Sequence, residues 1–192
     1  MTTPMAHART ELILGGQKSG KSRRAELLAR SWLDAAPGRH AVLVATGQPW
    51  DDEMRQRIAR HQQERAVRVP GMRTHEEPRD LAAALARTST PDTLVVVDCL
   101  TLWLTNWLMP MEGEGAVPPG APPVAELLAA LQAAPGPVVL VGNEIGLGVI
   151  PLGRETRAFV DALGRLNQDV AAACERVVFM AAGLPLVLKG AV

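Results

Sequence analysis

Eight residues decide most of what this chain can fold into. Gly15-Gly16-Gln17-Lys18-Ser19-Gly20-Lys21-Ser22 fits the pattern Gly-x-x-x-x-Gly-Lys-Ser/Thr, and it stands between an apolar run at Glu11–Leu14 and an amphipathic helical pattern from Lys21 to Trp32. Strand, glycine-rich turn and helix in that order are the context a phosphate-binding loop (P-loop) requires. The glycines let the backbone turn sharply and aim successive N–H groups at phosphate oxygens, and the helix N-terminus adds a favourable dipole. Gly15 to Ser22 are therefore nucleotide-binding candidates. Lys21 is directed at the β and γ phosphates and is catalytic for phosphoryl transfer, and the Ser22 hydroxyl is offered to a Mg2+ ion that bridges phosphates.

A strand that feeds a helix in this way belongs to a βαβ arrangement, and the rest of the chain keeps the alternation. Further strands are expected at Ala41–Ala45, Leu94–Asp98, Val138–Gly142, Arg176–Ala181 and Leu184–Lys189. Helices are expected at Asp51–Arg65, Arg79–Ala86, Leu100–Leu108, Val124–Ala133 and Arg154–Cys174. Only Ala182-Gly183 separates the last two strands, too little for a helical crossover, so the final strand should run antiparallel at the sheet edge. The expected fold class is α/β: a mostly parallel sheet flanked by helices, with an antiparallel C-terminal edge strand. No repeat or second compositional block divides residues 1–192, which read as a single nucleotide-binding domain. The Pro- and Gly-dense stretch Met109–Pro123 reads as a mobile surface loop.

Composition excludes several function classes. With 47% hydrophobic and 21% charged residues the chain is neither disordered nor a coiled coil. Lys plus Arg (20) equals Asp plus Glu (20), so no bulk field attracts nucleic acid or an anionic membrane, and any anion must be bound locally. Cys99 and Cys174 lie in apolar surroundings without a Cys-x-x-Cys pair, which favours reduced, buried thiols over a disulfide or a zinc site. No apolar run approaches the ~18 residues of a membrane span. Met1 to Glu11 lacks the apolar core of a secretory signal, so a cytoplasmic location is expected.

A P-loop site needs an acid at the end of a neighbouring apolar strand, and Leu94-Val95-Val96-Val97-Asp98 supplies one. Asp98 is the metal-side candidate with Ser22; its other reading is a cap for the helix near Leu100. Asn143-Glu144 follows Val138–Gly142 to the same edge, where Glu144 is either a base or water-positioning group or a plain turn acid. In Asp51–Arg65 the spacing i, i+4 aligns Glu53, Arg57, His61 and Arg65 on one helix face. An imidazole lone pair between phosphate-binding guanidinium groups is suited to attack a nucleotide's α-phosphorus and carry the nucleotidyl group. A solvated helix face is the alternative for the same residues. His7 and His40 fall in tail and loop, and His75 in a turn-like stretch before Glu76-Glu77-Pro78.

With these pieces assembled, the sequence resembles the bifunctional adenosylcobinamide kinase/adenosylcobinamide-phosphate guanylyltransferase family of cobalamin biosynthesis. The likeness covers nearly the whole chain. It runs through Gly15–Ser22, Ala45-Thr46, the block Asp51–Arg65 around Arg57-Ile58 and His61, and Arg73-Thr74 through Glu76. It continues in Asp98-Cys99-Leu100-Thr101 with Asn106, Asn143-Glu144-Ile145-Gly146 with Gly148, and Gly164-Arg165-Leu166-Asn167-Gln168. The resemblance implies a P-loop NTPase fold of RecA-like topology and a homotrimer. It implies two reactions, NTP-dependent phosphorylation of adenosylcobinamide and transfer of GMP from GTP to the resulting phosphate, giving adenosylcobinamide-GDP. It places a GMP-histidine intermediate on His61, and guanine-nucleotide contacts on Ala45, Thr46, Gly47, Gln62, Gln63, Glu64, Arg65, Glu76 and Asp98. Lys18 stands where the family often has Arg, Gly47 where it often has Ser, and Ala66 where it often has Pro; Lys18 keeps the charge without the planar fork. The rival readings are a P-loop kinase of a small alcohol without guanylyl transfer, and a non-enzymatic nucleotide-switched module of RecA type.

Overall fold

The structure is a computed structural model that describes residues 8–110 and 119–191. Most of the expected N-terminal tail, and residues 111–118 of the expected loop, lie outside the described residues. Seven strands, β1 (Thr10–Gly15), β2 (His40–Ala45), β3 (Arg73–Glu76), β4 (Thr93–Asp98), β5 (Val138–Val141), β6 (Arg176–Ala181) and β7 (Leu184–Lys189), form one sheet in the order β3-β2-β4-β5-β1-β6-β7. Every neighbouring pair is parallel except β6 with β7. The antiparallel edge strand follows from the short Ala182-Gly183 turn, where Ala182 and Gly183 both take positive φ (51° and 79°).

Helices cover both faces, so the central strands carry apolar residues on both sides and read as unbroken runs. Leu12, Leu14, Val95, Val97 and Leu140 face one layer, packed against α3 (Leu81–Thr88), α4 (Leu100–Leu108), α5 (Val124–Ala133) and α6 (Arg154–Ala173). The alternate residues Ile13, Leu43, Val96, Val139 and Val141 face α1 (Lys21–Ala35), through Ala25, Leu28 and Ala29. This is the period-two alternation of a strand, read out as two cores. Trp103 on α4 is fully buried in the first core, and its indole N–H donates to the Arg79 carbonyl at 2.7 Å. Trp103→Ala should lower unfolding free energy by about 3–5 kcal/mol, the usual cost of emptying a large aromatic site, measured by urea denaturation.

Two expectations need correction. The stretch around His75 is β3, paired in parallel with β2, and not a turn. All four of its side chains are polar, so periodicity gives no apolar signal; a strand at the sheet edge needs none. Helix α2 (Asp52–Arg68) runs three residues past Arg65, because Ala66-Val67-Arg68 brings nothing that breaks it. Smaller shifts occur elsewhere, with α1 reaching Ala35 and α3 starting at Leu81. Among the described residues no helix is long and apolar enough to cross a membrane.

Candidate active site

The parallel register brings the predicted site residues to one edge of the sheet. Ala45 at the end of β2 aligns with Glu76 on β3 and with Asp98 on β4, and Asp98 aligns with Val141 on β5. Gly15 ends β1 beside them. The loop that follows is shaped by glycine. Gly15 has φ +151°, and a Cβ there would stand 2.5 Å from the Met180 carbonyl oxygen and 2.7 Å from Ser19 Oγ. Gly20 caps α1 in the left-handed region, and the Gly183 N–H donates to the Ser19 carbonyl at 3.0 Å, tying the loop to the β6–β7 turn.

Lys21 opens α1 and is buried, and its ammonium donates to the Gly16 carbonyl at 2.5 Å. The loop therefore holds its own cation above the space where phosphates would lie. Burial pulls the Lys21 pKa below the ordinary lysine value, and Asp98 opposes part of that shift. Arg65 behaves alike: burial lowers its pKa and Asp98 raises it. Asp98 is thus within electrostatic reach of both cations. It does not cap α4, whose N-cap is Cys99 without a side-chain cap bond. Both cysteines are free and buried, and burial pushes the Cys99 and Cys174 thiols up to about 12.

Two cavities open at this edge. The larger, about 600 Å³, is lined by Gln17 to Arg23 of the loop and by Glu53, Gln56, Arg57, Arg60, His61, Glu64 and Arg68 of α2, with Asp98 and Asn143. The smaller, about 280 Å³, is lined by Ala45, Gly47, Met54, Ile58, Gln62, Arg65, Thr74, Glu76 and Leu102. Ser22, Arg57, His61, Asp98, Cys99 and Leu102 line both. His61 therefore stands on a wall common to the two spaces, half-buried and without a hydrogen-bond partner among the described residues.

The helix that carries His61 is held mainly at its far end. Arg65 is the one buried residue of α2, and its guanidinium donates to Thr74 Oγ1 at 3.1 Å. Arg68 pairs with Glu26 of α1, and Val69 enters the second core. At the other end Asp51 accepts from the Met54 N–H at 2.7 Å, a cap made within the helix's own first turn.

Not every predicted contact faces the cavities. Thr46 is fully buried; its hydroxyl donates to the Cys99 carbonyl and accepts from the Cys99 N–H, both at 2.8 Å, locking the end of β2 to the end of β4. Gln63 is exposed and lines neither space, because it lies two residues, about 200° of helix, from His61. Glu144 also lines neither; its carboxylate accepts from the Gly146 N–H at 2.8 Å, the turn-acid role. Asn143 lines the larger cavity instead. Gln56 and Arg60 also line the larger cavity; the only signal for them in the sequence is helical spacing, which puts them on the Glu53–Arg57 side of α2.

Ser22 and Asp98 suit a magnesium ion. Among the described residues no group of three or more His, Cys, Asp or Glu stands close enough to cage a metal, so a divalent cation here would complete its shell with phosphate oxygens and water, as Mg2+ does.

Comparison with known proteins agrees with this arrangement. Residues 11–188 match the family model described as cobinamide kinase / cobinamide phosphate guanyltransferase. The chain is 46% identical over 185 residues to the bifunctional adenosylcobalamin biosynthesis protein CobP of Pseudomonas aeruginosa, covering 94% of this chain and 97% of the relative. It is 36% identical over 187 residues to the protein of the same description, CobU, from Salmonella typhimurium, covering 93% and 98%. Among solved structures, the flagellar accessory protein FlaH of Methanocaldococcus jannaschii superposes with TM-score 0.51 at 12% identity, covering 96% of this chain and 79% of that one. That likeness concerns the fold alone. Asp98 ends β4, which does not adjoin the P-loop strand as expected but stands one strand further on, with β5 between them. Family model, full-length relatives, the glycine loop and this acid at the same sheet edge converge: this chain belongs to the cobinamide kinase / cobinamide phosphate guanyltransferase family.

Proposed function

We propose that this protein phosphorylates the hydroxyl of adenosylcobinamide with ATP or GTP, then transfers GMP from GTP to the adenosylcobinamide phosphate through a GMP adduct on His61. The observation that carries the reading is the place of His61 on the wall shared by the P-loop cavity and the smaller cavity. Phosphoryl transfer by a P-loop needs no nucleophile on the protein, whereas nucleotidyl transfer through a covalent adduct does.

In the kinase step the loop amides and Lys21 hold the β and γ phosphates and stabilise charge on the transferring group, which is chiefly positioning and electrostatics. Ser22 and Asp98 would hold Mg2+, which neutralises phosphate charge when bound. In the transferase step an imidazole nitrogen of His61 bonds to the α-phosphorus of GTP, the bond to the α–β bridging oxygen breaks, and pyrophosphate leaves. The acceptor's phosphate oxygen then attacks the same phosphorus and frees His61. Ala45, Gly47, Gln62, Arg65 and Glu76 line the space available to the guanosine end.

The two steps expose different phosphorus atoms. Helix α2 is expected to shift between nucleotide-free and nucleotide-bound states, pivoting near Arg65–Val69 where it is anchored. A homotrimer would cover apolar side chains that one chain leaves exposed, including Leu184, Leu186 and Leu188 of β7. A cytoplasmic location, with its supply of both nucleotides, completes the reading.

The test is incubation with magnesium and α-labelled GTP. A label that survives denaturation, is lost in acid but kept in alkali, and discharges onto added adenosylcobinamide phosphate is the expected result. A protein that binds GTP yet forms no such adduct would reduce the reading to a kinase.

A further inference from the structure

We propose that the side-chain amide of Asn143 donates a hydrogen bond to the γ-phosphoryl group as it transfers, and that Thr101 and Asn167 are positioning residues that hold Asn143 in place. This rests on the kinase step proposed above. Asn143 lines the P-loop cavity together with Lys21, Ser22 and Asp98, and is absent from the lining of the smaller cavity. It follows β5, the immediate parallel neighbour of the P-loop strand β1.

Its backbone is clamped from every side. The Asn143 N–H donates to Thr101 Oγ1 of α4 at 2.9 Å, and Asn167 Nδ2 of α6 donates to the Asn143 carbonyl at 3.1 Å. The flanking N–H groups of Gly142 and Glu144 donate to the Ile13 and Gly15 carbonyls at 2.9 and 3.1 Å. All this order is applied to a residue whose own carboxamide has no partner among the described residues. The clamp is costly in stability. Asn167 is only 4% exposed on the apolar stripe Leu163, Leu166 and Val170, and its Oδ1 is buried without a partner among the described residues. A leucine there would pack without that penalty. A glycine at 142 makes room for it, since a Cβ there would stand 3.3 Å from Asn167 Oδ1.

The chemistry that repays such a clamp is a fixed donor aimed at developing charge. When the acceptor oxygen bonds to the γ-phosphorus, the bond to the β–γ bridging oxygen breaks, the nucleoside diphosphate leaves with the electron pair, and the hydroxyl proton passes to solvent. Asn143 changes no bond. It donates to a non-bridging oxygen from the β5 side, while Lys21 serves from the P-loop.

The experiment measures three quantities on purified protein: phosphorylation of adenosylcobinamide, GTP dissociation constant, and the GMP label. For Asn143→Ala we expect kcat of phosphorylation to fall by about 100-fold, the scale of losing one such donor, with acceptor KM, GTP affinity and label within about threefold of the parent. Thr101→Val, which removes the acceptor from the clamp, should lower the same kcat by about tenfold with KM unchanged, and Thr101→Ser should restore it. Unchanged kcat in Asn143→Ala, or a fall matched by loss of GTP binding and label, overturns the inference. So does a Thr101→Ser variant as impaired as Thr101→Val. Failure of the parent protein to phosphorylate adenosylcobinamide removes the kinase reading and this inference together, whereas an active parent with an equally active Asn143→Ala removes this inference alone.

Discussion

Replacing His61 with alanine should leave a folded protein that phosphorylates adenosylcobinamide at close to the parent rate yet takes up no label from α-labelled GTP. Guanylyl transfer should fall at least about 1,000-fold, since loss of the nucleophile removes the covalent route altogether. Stability should change by no more than about 0.5 kcal/mol, because the imidazole is half-buried and has no hydrogen-bond partner among the described residues. The decisive measurement is the ratio of the two activities in one preparation. A variant impaired equally in both would mean that His61 serves phosphate binding, beside Arg57, and not covalent transfer.

Lys21→Met should behave differently, silencing both reactions. Its ammonium sits 2.5 Å from the Gly16 carbonyl at the mouth of the loop, where it would meet γ-phosphoryl charge in the first reaction and the departing pyrophosphate in the second. Each rate should fall by about 100- to 1,000-fold. Removing a buried cation that is costly to desolvate leaves the fold intact, so the melting temperature should stay near or above that of the parent. Parallel rate assays with the two nucleotides check it: if kinase activity is lost while the His61 label forms at the parent rate, the transferase step binds its triphosphate away from the loop.

The sheet and the loop were legible in the sequence because both rest on local patterns. Apolar runs such as Leu94–Val97 are buried from both sides, and the glycine spacing carries its own conformational demand. What escaped had no local signal. Arg73-Thr74-His75-Glu76 becomes a strand because β2 offers it a free edge, not because its residues alternate. Thr46 matched a family contact, but its hydroxyl is consumed by Cys99, a partner 53 positions away that no spacing rule reaches. Glu144 and Asn143 could not be told apart by position at the end of β5; Gly146 turns the acid aside, and two distant helices hold the backbone of Asn143. Gln63 is a different case, since helical geometry alone would have set it apart from His61 and Gln62.

The two margins of the sheet are unlike. One is the four-residue β3, polar throughout; the other is β7, six residues long with Leu184, Leu186 and Leu188 exposed. A short polar border is a poor template for a longer leucine-bearing one, so copies of this chain gain little by adding strand to strand, head to tail. That mismatch works against open-ended fibrous growth by strand addition, so the proposed trimer would have to shield the leucines through contacts that close into a ring.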